Sequence, residues 1–81
     1  MINEKRYKYI AANITADAII PLAGIIKDMG WLSPDGMFIA SGIIKGRLIE
    51  VVYALDQADF IIAETNISGE WVCLCATPNF S

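Results

Sequence analysis

Apolar and polar positions change period along this chain, and the changes divide it into elements. Residues 5–12, Lys-Arg-Tyr-Lys-Tyr-Ile-Ala-Ala, partly alternate, which puts Tyr7 and Tyr9 on one face of a strand. The Ala pair fits a helix equally well. From Thr15 to Met29 the period lengthens, and Ile19, Leu22, Ala23, Ile26 and Met29 fall on one helical stripe. Thr15 and Asp17 are both candidate N-caps. The later start is preferred, because it leaves Pro21 inside or just after the first turn, where the missing N–H costs one bond. Lys27 suits the C-terminal dipole, Gly30 the left-handed position beyond the helix, and Trp31 the apolar contact that follows. Ser33-Pro34-Asp35-Gly36 then reads as a turn.

Beyond it the pattern predicts two hairpins. Met37–Ile44 and Arg47–Leu55 pair across a two-residue turn at Lys45-Gly46, with Ser41 opposite Glu50 and Phe38 opposite Tyr53. A one-residue slip with a bulge at Gly46 is the variant. A helix over Arg47–Asn66 is the alternative, since those twenty residues hold no Gly or Pro. Their Val, Ile, Tyr and Phe content favours strands. Ala58–Thr65 and Glu70–Thr77 form the second hairpin around Asn66-Ile67-Ser68-Gly69, with Gly69 left-handed, and Pro78 ends the pairing. The expected fold is α+β: one small domain over 1–81, with one helix packed on an antiparallel sheet of four to five strands. The chain order is strand, helix, then four strands.

Composition adds a constraint. An 81-residue monomer buries only about 63% of its extended surface, yet 56% of these residues are hydrophobic. Both faces of the first predicted hairpin are apolar, so one helix leaves a face uncovered. No run approaches the roughly 18–20 uncharged apolar residues of a spanning helix, and no signal peptide is visible at the start, so the cytoplasm is the default.

The net charge is −3, and no base follows Arg47. Glu50, Asp56, Asp59, Glu64 and Glu70 make the second half acidic, which argues against nucleic-acid backbone binding and against anionic membranes.

Few constellations suggest chemistry. Cys73 and Cys75 point to one face of a strand, but with no His and no third Cys they read as two buried thiols, with no metal expected. The carboxylates Glu50, Asp56, Asp59 and Glu64 read as solvated charges rather than as a general acid and base. The glycines never reach the spacing of a phosphate- or dinucleotide-binding loop, and no cofactor is expected.

The functional expectation is therefore a non-enzymatic protein-interaction module, dimeric, with Glu50, Tyr53, Asp56, Asp59, Glu64 and Trp71 meeting a more basic protein. By class it is similar to the small acidic inhibitors of host systems that phages and mobile elements encode, anti-CRISPR proteins among them. The alternative is a small-ligand binder with a pocket between helix and sheet or at a dimer seam.

Overall fold

The computed structural model describes residues 6–79. Its elements are β1 (Tyr7–Asn13), α1 (Ala16–Met29), β2 (Leu32–Ile44), a single 3-10 turn (Lys45–Arg47), α2 (Leu48–Gln57), β3 (Phe60–Ser68) and β4 (Trp71–Pro78). The class is α+β, as the pattern predicts, but with four strands and two helices. The sheet order is β1-β2-β4-β3. β1 and β2 run parallel, whereas β4 is antiparallel to both β2 and β3, so the sheet is mixed.

The main correction falls on Arg47–Leu55. These residues form α2 instead of a strand, so Lys45-Gly46 is not a hairpin turn. Val51 and Leu55 are buried at helical spacing, Leu48 and Val52 pack beside them, and Ile49 and Tyr53 point outward. Burial of that stripe outweighs the local strand preference of β-branched residues. Arg47 binds Glu50 with two parallel hydrogen bonds of 2.9 Å, and Glu50 lies in the first turn, where the helix dipole favours an anion. The partner predicted for β2 is replaced by β4, with Phe38 opposite Ala76, Ala40 opposite Leu74, and Ile44 opposite Trp71.

α1 starts at the earlier of the two candidate caps, Thr15, so Pro21 stands inside the helix. Its end follows the expected chemistry. Gly30 is left-handed (φ 64°), its N–H bonds the Lys27 carbonyl, and the Trp31 N–H reaches back to Ile26. Ser33–Gly36 does not separate helix from strand. It is an insertion within β2, where the register jumps from Tyr7–Leu32 to Tyr9–Met37. A Cβ on Gly36 would stand 2.8 Å from the Lys8 carbonyl oxygen, so only glycine fits there. The second hairpin stands, but its turn is Gly69-Glu70, two residues later than expected, with Ser68 opposite Trp71 and Gly69 at φ 61°.

Both helices pack against each other and against one face of the sheet. The single core joins Ile19, Ala23 and Ile26 of α1, Val51 and Leu55 of α2, and the inward residues of three strands: Phe38, Ala40 and Ile43; Phe60; Val72, Leu74 and Ala76. Phe38 and Phe60 meet at 5.8 Å. The opposite face of the sheet has no covering layer among the described residues. No described helix is long and apolar enough to cross a membrane.

Candidate functional site

Strand alternation builds the open face. Where Phe38, Ala40, Leu74 and Ala76 face the helices, Met37, Ile39, Ser41, Cys73 and Cys75 face away, since side chains alternate at period two. Tyr9 joins them opposite Met37, and Glu64 opposite Cys75. Gly42 interrupts the alternation. It has φ 82° and lies in an irregularity between the Ala40–Leu74 and Ile43–Val72 pairs. The extra residue turns Ile43 inward and Ile44 outward, beside Trp71.

Around that bulge the open face is concave. Asn13, Ser41, Gly42 and Trp71 line a shallow depression of about 400 Å³. One wall is the indole of Trp71, 55% exposed. The lining also carries the Asn13 amide and the Ser41 hydroxyl, which donates to the Ala12 carbonyl at 3.4 Å and keeps its lone pairs as acceptors. Glycine is needed at the floor, because a Cβ on Gly42 would stand 2.6 Å from the Asn13 Oδ1. Cys73 and Cys75 are free thiols on this face, partly rather than fully buried as the sequence suggests. Burial pushes the Cys75 thiol up, and the neighbouring Cys73 and the Glu64 carboxylate add to the shift.

The seam between α1 and α2 carries a second apolar surface, on the other side of the molecule. Arg47 spans it at one end, bonding Asp17 at 2.8 Å as well as Glu50. The Arg47 hydrogen bond, then its charge, holds the Asp17 carboxyl below its usual value. At the other end Lys27 of α1 pairs with Asp59, a left-handed residue (φ 61°) in the turn after α2. Asp35 is likewise held low, first by the Ser33 hydroxyl and then by Lys8.

The six residues expected to meet a partner lie on two sides of the molecule. Glu50 and Tyr53 line the α1–α2 seam. Asp59 closes one end of it through Lys27, and Asp56 is exposed near the end of α2. Glu64 and Trp71 lie on the open sheet face. The expectation missed Asn13, Ser41 and Gly42, although Met37–Ser41 shows apolar residues in both phases of the alternation. Among the described residues no three His, Cys, Asp or Glu side chains gather as metal ligands would. Two exposed apolar surfaces therefore stand on opposite sides of the molecule, the open sheet face and the α1–α2 seam.

A family model described as ribosomal protein L11 methyltransferase (PrmA) matches residues 1–79. The chain belongs to the ribosomal protein L11 methyltransferase family. A member from Agathobacter rectalis is 41% identical over 75 residues, covering 93% of this chain and 23% of that protein. One from Heliobacterium modesticaldum is 45% identical over 67 residues, covering 83% and 21%. The crystal structure of the ribosomal protein L11 methylase of Lactobacillus delbrueckii subsp. bulgaricus superposes with a TM-score of 0.85 at 29% identity, over 93% of this chain and 38% of that one. The matched region thus spans less than a quarter of the Agathobacter and Heliobacterium proteins and 38% of the Lactobacillus chain.

Family membership overturns the functional expectations. The relatives are named as methyltransferases, which are enzymes, so the non-enzymatic module, the phage or mobile-element inhibitor and the ligand-sequestering alternative are all set aside. The dimer and the exclusion of nucleic acid fall with them, since the relatives' name points to a ribosomal protein and nothing in it calls for a second copy or bars nucleic acid. Surplus apolar surface does not by itself call for a second copy, because contact with any further polypeptide hides such surface equally well.

Proposed function

We propose that this chain is part of an enzyme that methylates ribosomal protein L11, and that its open sheet face engages that protein. The carrying observation is the concavity at Asn13, Ser41, Gly42 and Trp71. It joins an exposed aromatic anchor to polar groups that can discriminate, the combination typical of surfaces that bind and release a protein. Tyr9, Ile44 and Ile61 extend the same half-exposed face. Within the earlier set of candidate residues, Trp71 and Glu64 take the substrate role. The sequence has no glycine-rich phosphate cradle, which supports a binding role for this segment and leaves the methyl donor to the rest of the enzyme. A ribosomal substrate calls for a cytoplasmic location.

Steady-state methylation of L11 by the full-length enzyme tests the reading. Trp71→Ala removes binding that ground state and transition state share, so KM for L11 rises by roughly 30-fold, the value of a hot-spot tryptophan, while kcat holds. An unchanged KM, or a loss confined to kcat, refutes the assignment of this face.

A further inference from the structure

Trp71 borders a second depression besides the one on the sheet face. Thr15, Asp17, Ile44 and Arg47 help line a hollow of about 270 Å³. It shares Gly42 and Trp71 with the depression lined by Asn13 and Ser41, so the indole stands over both. The polar groups around it are mostly acceptors. Asn13 turns its Oδ1 toward the floor at Gly42. Ser41 gives its hydroxyl proton to the Ala12 carbonyl and presents lone pairs. Asp17 gives Oδ1 to Arg47, and a carboxylate has further acceptor sites.

Arg47 is the one base that lines either hollow among the described residues, and two carboxylates already hold it. Glu50 takes two of its hydrogen bonds and Asp17 a third, so the trio carries one negative charge in excess. The positive end of the α1 dipole, which also opens here, is met by Asp17 in the first turn. An anion therefore finds no free base. A cation finds oxygen acceptors and a carboxylate beside an aromatic face, whose quadrupole attracts positive charge. We propose that the Trp71 indole receives a Lys or Arg side chain of the substrate protein, with Asp17 as its counter-charge. A ribosomal protein supplies such side chains, since RNA phosphates are met by Lys and Arg. The net charge of −3, with no base after Arg47, favours the same encounter. This rests on the reading of the sheet face as the L11 surface and adds the chemical class that the face selects.

Steady-state methylation of L11 by the full-length enzyme, with fluorinated tryptophans placed at position 71 alone, tests it. Fluorine withdraws charge from the ring face and nearly preserves its shape. KM for L11 should rise with each added fluorine, to about tenfold, while kcat holds. Trp71→Leu keeps an apolar side chain without the ring and should raise KM nearly as far as Trp71→Ala. Asp17→Asn should raise KM by about threefold at low salt, an effect that high salt removes. L11 variants with a single exposed lysine or arginine replaced by methionine then identify the cation. For that one alone, the rise in KM should vanish in the Trp71→Leu enzyme. A KM that stays flat across the fluorine series overturns the proposal, and so does a parental KM for Trp71→Leu or a panel without coupling. If Trp71→Ala still raises KM, those results leave the sheet face as the L11 surface and remove only the cation. A parental KM for Trp71→Ala removes both readings.

Discussion

The two faces of the sheet are made from the same strands and nearly the same residue types, yet they end in opposite environments. Ile43 and Ile44 are the sharpest case: identical side chains, adjacent in sequence, one fully buried under the helices and the other half-exposed beside Trp71. What separates them is the alternation of a strand, shifted by one extra residue at Gly42. Apolar character alone therefore does not report burial. The covered face stabilises the fold, and the uncovered one is free to bind.

Truncating the two isoleucines measures the difference. Ile43→Ala leaves a cavity in the core and should cost about 2–5 kcal/mol. Ile44→Ala removes a surface contact and should cost about 0.5 kcal/mol. Urea denaturation of the two variants decides the matter. Equal losses would mean that the open face is covered after all.

The bulge that creates the difference is the next target. Gly42→Ala places a Cβ against the Asn13 amide at a backbone angle that L residues rarely adopt, and should cost about 1–3 kcal/mol. Gly46→Ala is the control, with nothing within 4 Å of its Cβ and no positive φ. There the change should be neutral or stabilising by up to about 1 kcal/mol. If thermal melts of the two variants coincide, the bulge does not set the phase of Ile43 and Ile44.

Much of the fold is legible in the sequence because local chemistry fixes it. The helical stripe from Ile19 to Ile26, its end at Gly30, the strand pattern before Thr15 and the paired strands near Gly69 all follow from spacing and turn residues. Arg47–Leu55 is not legible in that way. Its β-branched residues read locally as strand, while the stripe Leu48, Val51, Val52, Leu55 is buried by α1 and the sheet, contacts remote in sequence. The strand that pairs with β2 lies beyond α2 and β3, past the predicted hairpin partner. The candidate site suffered from the same error. With 47–55 taken as a strand, Glu50 and Tyr53 fell on opposite faces, whereas helical spacing brings both to the α1–α2 seam, away from Glu64 and Trp71. The likeness to the family covers residues 1–79, and it was not read from any single motif in the sequence.

The smallest expected effect concerns what ties each side together. The helical seam is bridged by ion pairs, Arg47 with Asp17 and Lys27 with Asp59, whereas none of the ion pairs among the described residues crosses the open face. Asp17 is held below its ordinary value of 3.8 by Arg47, so the folded state favours its ionised form. That contribution is fully present above the unfolded value, and it is lost as pH falls through the lower folded one. Both partners of the pair reach solvent, so the term is modest and salt-sensitive. Asp17→Asn should melt slightly below the parent at neutral pH, and the gap should close as the pH drops below 3.8. Paired melts from neutral to strongly acid pH follow it directly. A gap that persists unchanged into acid would show that Asp17 supports the seam by shape rather than by charge, and that the two sides of the molecule do not differ in how they are held.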